Sequence, residues 1–281
     1  MTDARKTVLI TGCTPGGIGH ALALEFQKQG ARVFATARRT EVLEDLRAKG
    51  MEVLALDVTS DESVRAAAAS LRELTGGKLD VLVNNAGRMY TMAALDADIP
   101  HAEAIFNTNV FGPMRTVREF GPMVVAARGK IVNNAANAAH IPMPLHGVYG
   151  ATKAAVLSFG DSLRLEMKPF GVEVITLLTG GVTTPGYSNE RTTDIPTDSL
   201  YASVYPKVDK VILDGSSGAM PAEEYARKVV STVMKPGAPK WFWVGSNSTV
   251  VWVLSTLLPR WLQDNIVSGM WGLSSLTPEK K

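Results

Sequence analysis

Short runs of β-branched and aliphatic residues alternate along the chain with longer segments in which apolar residues recur at helical spacing. After the first run, Ile18, Leu22 and Phe26 form the apolar stripe of a helix. The runs that predict strands are Val8 to Thr11, Arg32 to Ala37, Glu52 to Leu56, Asp80 to Val83, Lys130 to Asn133, Val172 to Leu178 and Lys240 to Val244. This alternation is typical of an α/β fold, so we expect a doubly wound, seven-stranded parallel sheet with helices on both faces.

Composition restricts the class of protein further. The 281 residues are 20% charged and 46% hydrophobic, which is ordinary for a globular chain, and we expect one domain over residues 1–281. A net charge of +2 gives no reason to expect nucleic acid as a partner, and no metal is predicted. The single cysteine, Cys13, and a first strand that begins almost at once argue against secretion, so we expect an intracellular, cytoplasmic protein.

The turn between the first strand and its helix, from Thr11 to Gly19, is rich in glycine. Glycines let a backbone turn tightly and approach a diphosphate, while the free N–H groups and the positive end of the following helix attract its charge. The residues that we expect to bind a dinucleotide here are Gly12, Thr14, Gly17 and Ile18. A plain strand-to-helix turn is the alternative.

The second strand ends in Arg38 and Arg39, where an enzyme that uses NAD usually offers an acidic residue to the adenosine ribose. A guanidinium pairs with a phosphate in a forked, charge-assisted geometry. These two arginines therefore favour NADP(H), with its 2′-phosphate, over NAD. The alternative is that they only solvate a loop.

Four motifs stand in order along the chain: the glycine-rich turn, Asn84 to Gly87, Asn109, and Tyr149 with Lys153. Together they resemble the short-chain dehydrogenase/reductase family over residues 6–245. The stretches Gly77 to Gly87 and Leu178 to Val182 are most similar to fungal NADPH-dependent 1-acyldihydroxyacetone-phosphate reductase-like members. The resemblance implies a Rossmann-like fold, an NADP-dependent oxidoreductase and a homo-oligomer.

Tyr149 and Lys153 lie four residues apart in a segment, Gly147 to Lys168, that predicts a helix, so both side chains project from one face. A tyrosine phenol ordinarily titrates near pH ~10, and a neighbouring ammonium lowers that pKa toward the range useful for proton transfer. Tyr149 is thus the expected proton donor and Lys153 its tuner. By resemblance, Asn109 holds a water that relays protons to Lys153. A tyrosine and a lysine at this spacing are common on helix surfaces, so the pair indicates catalysis only together with the other motifs.

Further cofactor contacts are carried over from the family by resemblance alone. They are Asp57 and Val58 beside the adenine, Asn85 and Ala86 along the adenosine, Val182 and Thr184 at the carboxamide, and Arg118 on the helix after Asn109. A solvated helix arginine is the alternative for Arg118.

One departure bears on catalysis. The family serine stands thirteen residues before the tyrosine, and that position is Ala136. Losing one preorganised donor to a developing oxyanion typically costs roughly 100- to 1,000-fold in rate. Three alternatives remain: Asn134 or Asn137 donates instead, the chain is a Ser-to-Ala variant of a reductase, or the scaffold serves a non-redox isomerase, dehydratase or cyclase, or a binding protein. A second departure is Thr179, where most members have proline.

The substrate is expected to lie under a lid at residues 185–217, whose Gly, Pro and Tyr content suits a mobile segment. The candidate substrate contacts are Asn137, His140, Met143, Leu145, His146, Tyr187, Tyr201 and Tyr205. They favour a bulky lipophilic carbonyl or alcohol, such as a lipid or secondary-metabolite intermediate. Alternatively, the histidines are ordinary surface or core-edge residues and the tyrosines only pack the lid on the body.

The C-terminal extension, residues 245–281, continues a tryptophan-rich apolar stretch that starts at Trp241. Polar residues from Gly245 to Thr249 interrupt it, so no run approaches the ~20 apolar residues of a membrane span. Tryptophan favours interfaces, which leaves a peripheral contact with a membrane or lipid-droplet surface as one alternative. Packing against the body or a partner subunit is the other.

Overall fold

The computed structural model describes residues 5–184, 195–207 and 218–276. Its strands are β1 Thr7–Ile10, β2 Arg32–Ala37, β3 Glu52–Ala55, β4 Val81–Asn84, β5 Lys130–Asn134, β6 Glu173–Thr179, β7 Val182–Thr183, β8 Met220–Pro221 and β9 Trp241–Val244. Seven of them form one parallel sheet in the order β3-β2-β1-β4-β5-β6-β9, and β7 pairs with β8 separately. The predicted fold class is confirmed, with strand ends shifted by at most one residue.

The helices are α1 Ile18–Lys28, α2 Glu44–Ala48, α3 Asp61–Thr75, α4 Ile99–Phe106, α5 Gly112–Ala127, α6 Gly147–Met167, α7 Ala222–Val233, α8 Ser248–Leu257 and α9 Arg260–Met270. A π-helical turn, Asn107–Phe111, joins α4 to α5, and a short 3₁₀ turn, Asn137–Ala139, follows β5. None of the helices in the described ranges is both long and apolar enough to cross a membrane.

Two apolar cores cover the two faces of the sheet. On β1, Val8 and Ile10 face the core that contains α1 and α7, whereas Leu9 faces the core that contains α3, α5 and α6. This split follows from the period of two in a strand, and nearly continuous hydrophobic runs result because both faces are buried.

The strand order reverses between β1 and β4, which is where open α/β sheets bind ligands at the carboxyl ends of their strands. The glycine-rich turn is pressed against this point. Gly12 has φ +73°, and a Cβ there would lie 2.9 Å from Cα of Ala86. A Cβ on Gly19 would lie 2.3 Å from the carbonyl oxygen of Gly12. Neighbouring backbone therefore excludes a side chain at these two positions of the turn.

A third apolar cluster lies beside the sheet. Its buried members are Met92, Ala93, Leu145, Val204, Tyr205, Val267 and Trp271. The cluster joins residues 195–207 of the predicted lid to α9, and half-buried Met143 and Tyr201 pack on it. These contacts pack the described part of the lid on the body, and substrate contacts by the same residues stay a prediction. Tyr187 and the remainder of the lid lie outside the described residues.

Candidate active site

The glycine-rich turn is held to the end of β4 by reciprocal hydrogen bonds. Oγ1 of Thr11 accepts from the backbone N–H groups of Asn85 and Ala86, each at 2.9 Å. The side-chain amide of Asn85 donates back to the carbonyls of Thr11 at 2.9 Å and Gly12 at 3.0 Å. Asn85 thus fixes the shape of the turn, and the adenosine contact expected of it stays a prediction.

The other face of the turn is open. Gly17 begins α1 without a side-chain cap, and the first turn of α1 carries no acidic residue. The free N–H groups of that helix end therefore keep their attraction for an anion. Thr14 is exposed and Ile18 is half-buried at this edge. The geometry suits the diphosphate site predicted from the glycines.

Residues expected around the adenosine follow β2 and β3. Arg38 and Arg39 are exposed directly after β2, and neither makes an ion pair with any described residue. After β3, Oδ1 of Asp57 accepts from the N–H and hydroxyl of Thr59, at 2.9 and 2.7 Å. Buried Val58 packs on Gly112 at the start of α5.

Arg118 is engaged elsewhere. Its guanidinium donates to Asp61 at 2.6 Å and to Glu119 at 2.9 Å on the exposed side of α5. The hydrogen bond from Arg118 holds the pKa of the Asp61 carboxyl below its ordinary value. The structure favours a surface ion-pair network for Arg118 over the cofactor contact implied by the resemblance.

Tyr149 and Lys153 lie together on the first turns of α6. The Lys153 side chain is 7% exposed, and its Nζ donates to the backbone carbonyl of Asn134 at 2.8 Å. Nζ lies 5.6 Å from the centroid of the Tyr149 ring. Burial disfavours the charged form and lowers the pKa of Lys153 to about 8. A phenol and a cation that titrates near neutrality are thus paired next to the open turn.

Asn109 lies in the π-helical turn, a local geometry that is frequent at functional sites. Its amide nitrogen donates to the carbonyl of Arg88 at 2.8 Å and to Oγ1 of Thr152 at 3.0 Å. Its Oδ1 accepts from the N–H of Arg88 at 2.8 Å. The side chain ties the loop after β4 to α6, and the water relay stays a prediction.

Ala136 is buried and offers only a methyl group, and of the two asparagines considered as substitutes Asn134 is partly engaged in hydrogen bonds. Its Nδ2 donates to Oδ1 of Asn85 at 3.0 Å, and its Oδ1 accepts from the hydroxyl of Thr179 at 2.7 Å. The amide nitrogen carries two N–H groups, so a bond from Asn134 to a substrate stays a prediction. Asn137 is buried beside Gly180, and its Oδ1 has no partner among the described residues.

His146 is a buried histidine, 2% exposed, with both ring nitrogens occupied. Nδ1 lies 3.2 Å from the carbonyl of Pro144, which can only accept, so Nδ1 carries the proton. Nε2 then accepts from the hydroxyl of Thr91 at 3.0 Å. The ring also packs against Trp271, with centroids 5.1 Å apart. These contacts favour a packing role, because a substrate bond would require breaking one of them.

His140 lies between Trp241 and Trp243, with ring centroids 5.2 and 5.0 Å away. Burial lowers its pKa. Val182 is buried on β7 and Thr184 is half-buried, so their contacts with a carboxamide stay predictions.

Comparison with known proteins agrees with this geometry. Residues 6–194 match the family model for short chain dehydrogenase. The chain belongs to the short-chain dehydrogenase family. It is 42% identical over 275 residues to the short-chain dehydrogenase ptmH of Penicillium ochrochloron, covering 96% of this chain and 99% of that protein.

Two solved short-chain dehydrogenases share the fold. One from Burkholderia cenocepacia, in complex with NADP, has a TM-score of 0.72 at 24% identity and covers 99% of this chain and 100% of that one. Another from Burkholderia phymatum, in complex with NAD, has a TM-score of 0.73 at 25% identity and covers 85% and 88%.

Several residues of this short-chain dehydrogenase that shape the site were missed from the sequence. Thr91 and Trp271 surround His146, and Tyr225 reaches Thr179 from α7. No motif marks them, because each contacts the site across a long stretch of chain. One indirect sign of Tyr225 was present in the sequence, because its partner Thr179 stands where most family members have proline.

We predict that burial of neutral His146 makes stability depend on pH. Burial lowers the folded-state pKa, so below pH ~6.5 the unfolded chain binds more protons and stability falls until the folded-state pKa is reached. The thermal unfolding midpoint of the wild type should fall more steeply from pH ~7.5 to ~5.5 than the midpoint of His146→Gln. The control, His140→Gln, should remove a smaller part of this pH dependence, because His140 is only half-buried. Equal slopes in wild type and His146→Gln would contradict the assignment.

Proposed function

We propose that this short-chain dehydrogenase is an NADPH-dependent ketoreductase, or an alcohol dehydrogenase in the reverse direction, with Tyr149 as its proton donor. The observation that carries the proposal is the pairing of Tyr149 with buried Lys153 beside the open glycine-rich turn. A nicotinamide dinucleotide fits that turn, because the N–H groups at the start of α1 have no side-chain cap and no acidic residue stands in its first turn.

A nicotinamide bound at this turn would supply a hydride to the carbonyl carbon of the substrate. Tyr149 donates its phenolic proton to the carbonyl oxygen, which balances the charge that develops there. Lys153, as an ammonium, stabilises the phenolate that remains until solvent returns a proton. In the oxidative direction the same phenolate accepts the proton of the alcohol.

Preference for NADPH is supported by Arg38 and Arg39, which project after β2 with no ion pair to a described residue. Two guanidiniums of this kind suit the 2′-phosphate. The residues on which this cofactor interpretation relies further are Gly12, Thr14, Gly17, Ile18, Asp57, Val58, Ala86, Val182 and Thr184.

We infer a bulky lipophilic substrate. The inference relies on half-buried Met143 and Tyr201 at the edge of the third apolar cluster, to which the loop after β4 contributes Met92 and Ala93. An acyl-dihydroxyacetone phosphate or a polyketide-like secondary metabolite belongs to this class. The non-redox alternatives predict a product of unchanged mass or one that has lost water.

We also propose that the C-terminal helices contact a second copy of the chain. Exposed apolar side chains on α8 and α9 are Val250, Trp252, Val253, Leu257, Trp261 and Met270. No charged residue stands between Trp241 and Pro259. Depletion of charge together with tryptophan is typical of the centre of an interface, whereas a helix that lies on a membrane surface usually carries a strongly basic polar face.

Replacing both arginines tests the cofactor. The double variant Arg38→Ser, Arg39→Ser should bind NADPH about 10- to 100-fold more weakly, since bonds to a charged group are worth ~1.5–3 kcal/mol. Its affinity for NADH should stay within about threefold, and Arg47→Ser on α2 serves as the surface control. Fluorescence titration measures both. Equal losses for NADPH and NADH would remove the 2′-phosphate interpretation.

Restoring the family hydroxyl tests the catalytic assignment. Ala136→Ser should oxidise NADPH with bulky ketones or acyl-dihydroxyacetone phosphates about 100-fold faster than the wild type, because a donor to the oxyanion is regained. Ala138→Ser, in the same 3₁₀ turn, should show no gain. If the wild type and Ala136→Ser both bind NADPH and neither oxidises it with any ketone, the non-redox alternatives are favoured.

The C-terminal face is tested by sedimentation. Leu257→Lys and Trp261→Lys should convert an oligomer to a smaller species, because the two side chains are 68% and 64% exposed in the single chain. Leu74→Lys on α3 is the matched control. In vesicle flotation the wild type should remain at the bottom. Flotation with the vesicles, or sedimentation unchanged by both substitutions, would overturn this proposal.

A further inference from the structure

A row of buried and half-buried polar side chains crosses the carboxyl ends of β4, β5 and β6. Thr179 donates to Asn134 at 2.7 Å, and Asn134 donates to Asn85 at 3.0 Å. Asn85 ends the row on the carbonyl of Gly12 at 3.0 Å. At the other end the hydroxyls of Thr179 and Tyr225 lie 2.7 Å apart. The row therefore links α7 to the glycine-rich turn.

The chemistry of the groups fixes the direction of each bond in this row. The amide oxygen of Asn134 can only accept, so it takes the one hydroxyl proton of Thr179. Tyr225 must then donate to Oγ1 of Thr179. Burial raises the pKa of the Tyr225 phenol, which keeps that proton in place. Protons thus point one way, from α7 toward the glycine-rich turn.

The row meets the catalytic pair at Asn134. The side chain of this residue is held on both sides by the row, and its backbone carbonyl accepts from Nζ of Lys153 at 2.8 Å. A proline at position 179 offers no hydroxyl, so the departure from the family pattern creates the link to Tyr225.

We propose that Thr179, supported by Tyr225, is a positioning residue that fixes Asn134 and through its carbonyl holds Lys153 toward Tyr149. This inference rests on the proposed ketoreductase function. With an alanine at position 136, one orienting donor is missing. Catalysis then depends more heavily on how Tyr149 and Lys153 are placed, and a misplacement of ~1 Å can cost about 100-fold in rate.

Thr179→Val removes the hydroxyl and keeps the shape of the side chain. It leaves the Asn134 amide oxygen and the Tyr225 hydroxyl without their partner in this row, so the Asn134 side chain is held only by its bond to Asn85. We expect kcat for NADPH-dependent reduction to fall about tenfold or more, while the dissociation constant of NADPH changes less than about threefold. Thr179→Ser should restore kcat, and Thr232→Val, a threonine on the surface of α7, should leave it unchanged.

Tyr225→Phe gives an independent variant of the same row. It removes only the distal donor, so kcat should fall by less than in Thr179→Val. The double variant should be no worse than Thr179→Val alone, because residues in one hydrogen-bond network are not additive. Additive losses, or a serine that fails to rescue, would overturn the proposal. If one of Thr179→Val, Tyr225→Phe and the double variant fails to fold, the proposal is tested with the two that do.

A second readout needs no substrate. NMR titration of the lysine ε-carbons, with Lys153 assigned through Lys153→Arg, reports the pKa of Lys153 directly. A shift of the Asn134 carbonyl away from Nζ disfavours the ammonium, so in Thr179→Val the pKa of Lys153 should fall below that of the wild type. An unchanged or raised pKa would overturn the positioning role. If Thr179→Val lowers the pKa but no ketone is reduced, the proposed function fails and the positioning role stands.

Discussion

The buried ammonium of Lys153 is the constraint on which the rest of the site depends. A charge in the interior is costly unless it is hydrogen-bonded, and here the carbonyl of Asn134 meets it. Burial lowers its pKa to about 8, so its protonation is sensitive to small changes in its surroundings. The hydrogen bonds around the site hold that carbonyl and the first turns of α6 in fixed positions relative to each other.

Two ties secure this arrangement from opposite sides. Asn109 bonds the loop after β4 to Thr152, one residue before Lys153, and so holds α6 from the side of the π-helical turn. The row through Asn134 holds β5 from the side of β6 and α7. Both reach the glycine-rich turn or the strand beside it. The glycine-rich turn and the first turns of α6 are therefore parts of one hydrogen-bonded assembly.

Hydrophobic periodicity was sufficient to predict the sheet and its helices, because burial on both faces imposes continuous apolar runs that a single sequence displays. The glycine-rich turn and the pair Tyr149 and Lys153 were also predictable, since each is a local pattern. The partners of His146 and Asn134 were not. Their side-chain to side-chain hydrogen bonds join residues 45 to 55 positions apart along the chain, and the ring contact of His146 with Trp271 spans a longer stretch. This geometry exists only after the strands are aligned.

The central claim, transfer of hydride between a nicotinamide and a carbonyl carbon with Tyr149 as acid, is tested most directly with deuterated cofactor. NADPH that carries deuterium on one or the other face of the nicotinamide C4 is incubated with a bulky ketone. The mass of the product is then measured by mass spectrometry. The account predicts one deuterium in the product alcohol from one of the two labelled forms, and little product with Tyr149→Phe. A product without label from either form, or one formed equally well by Tyr149→Phe, would contradict it.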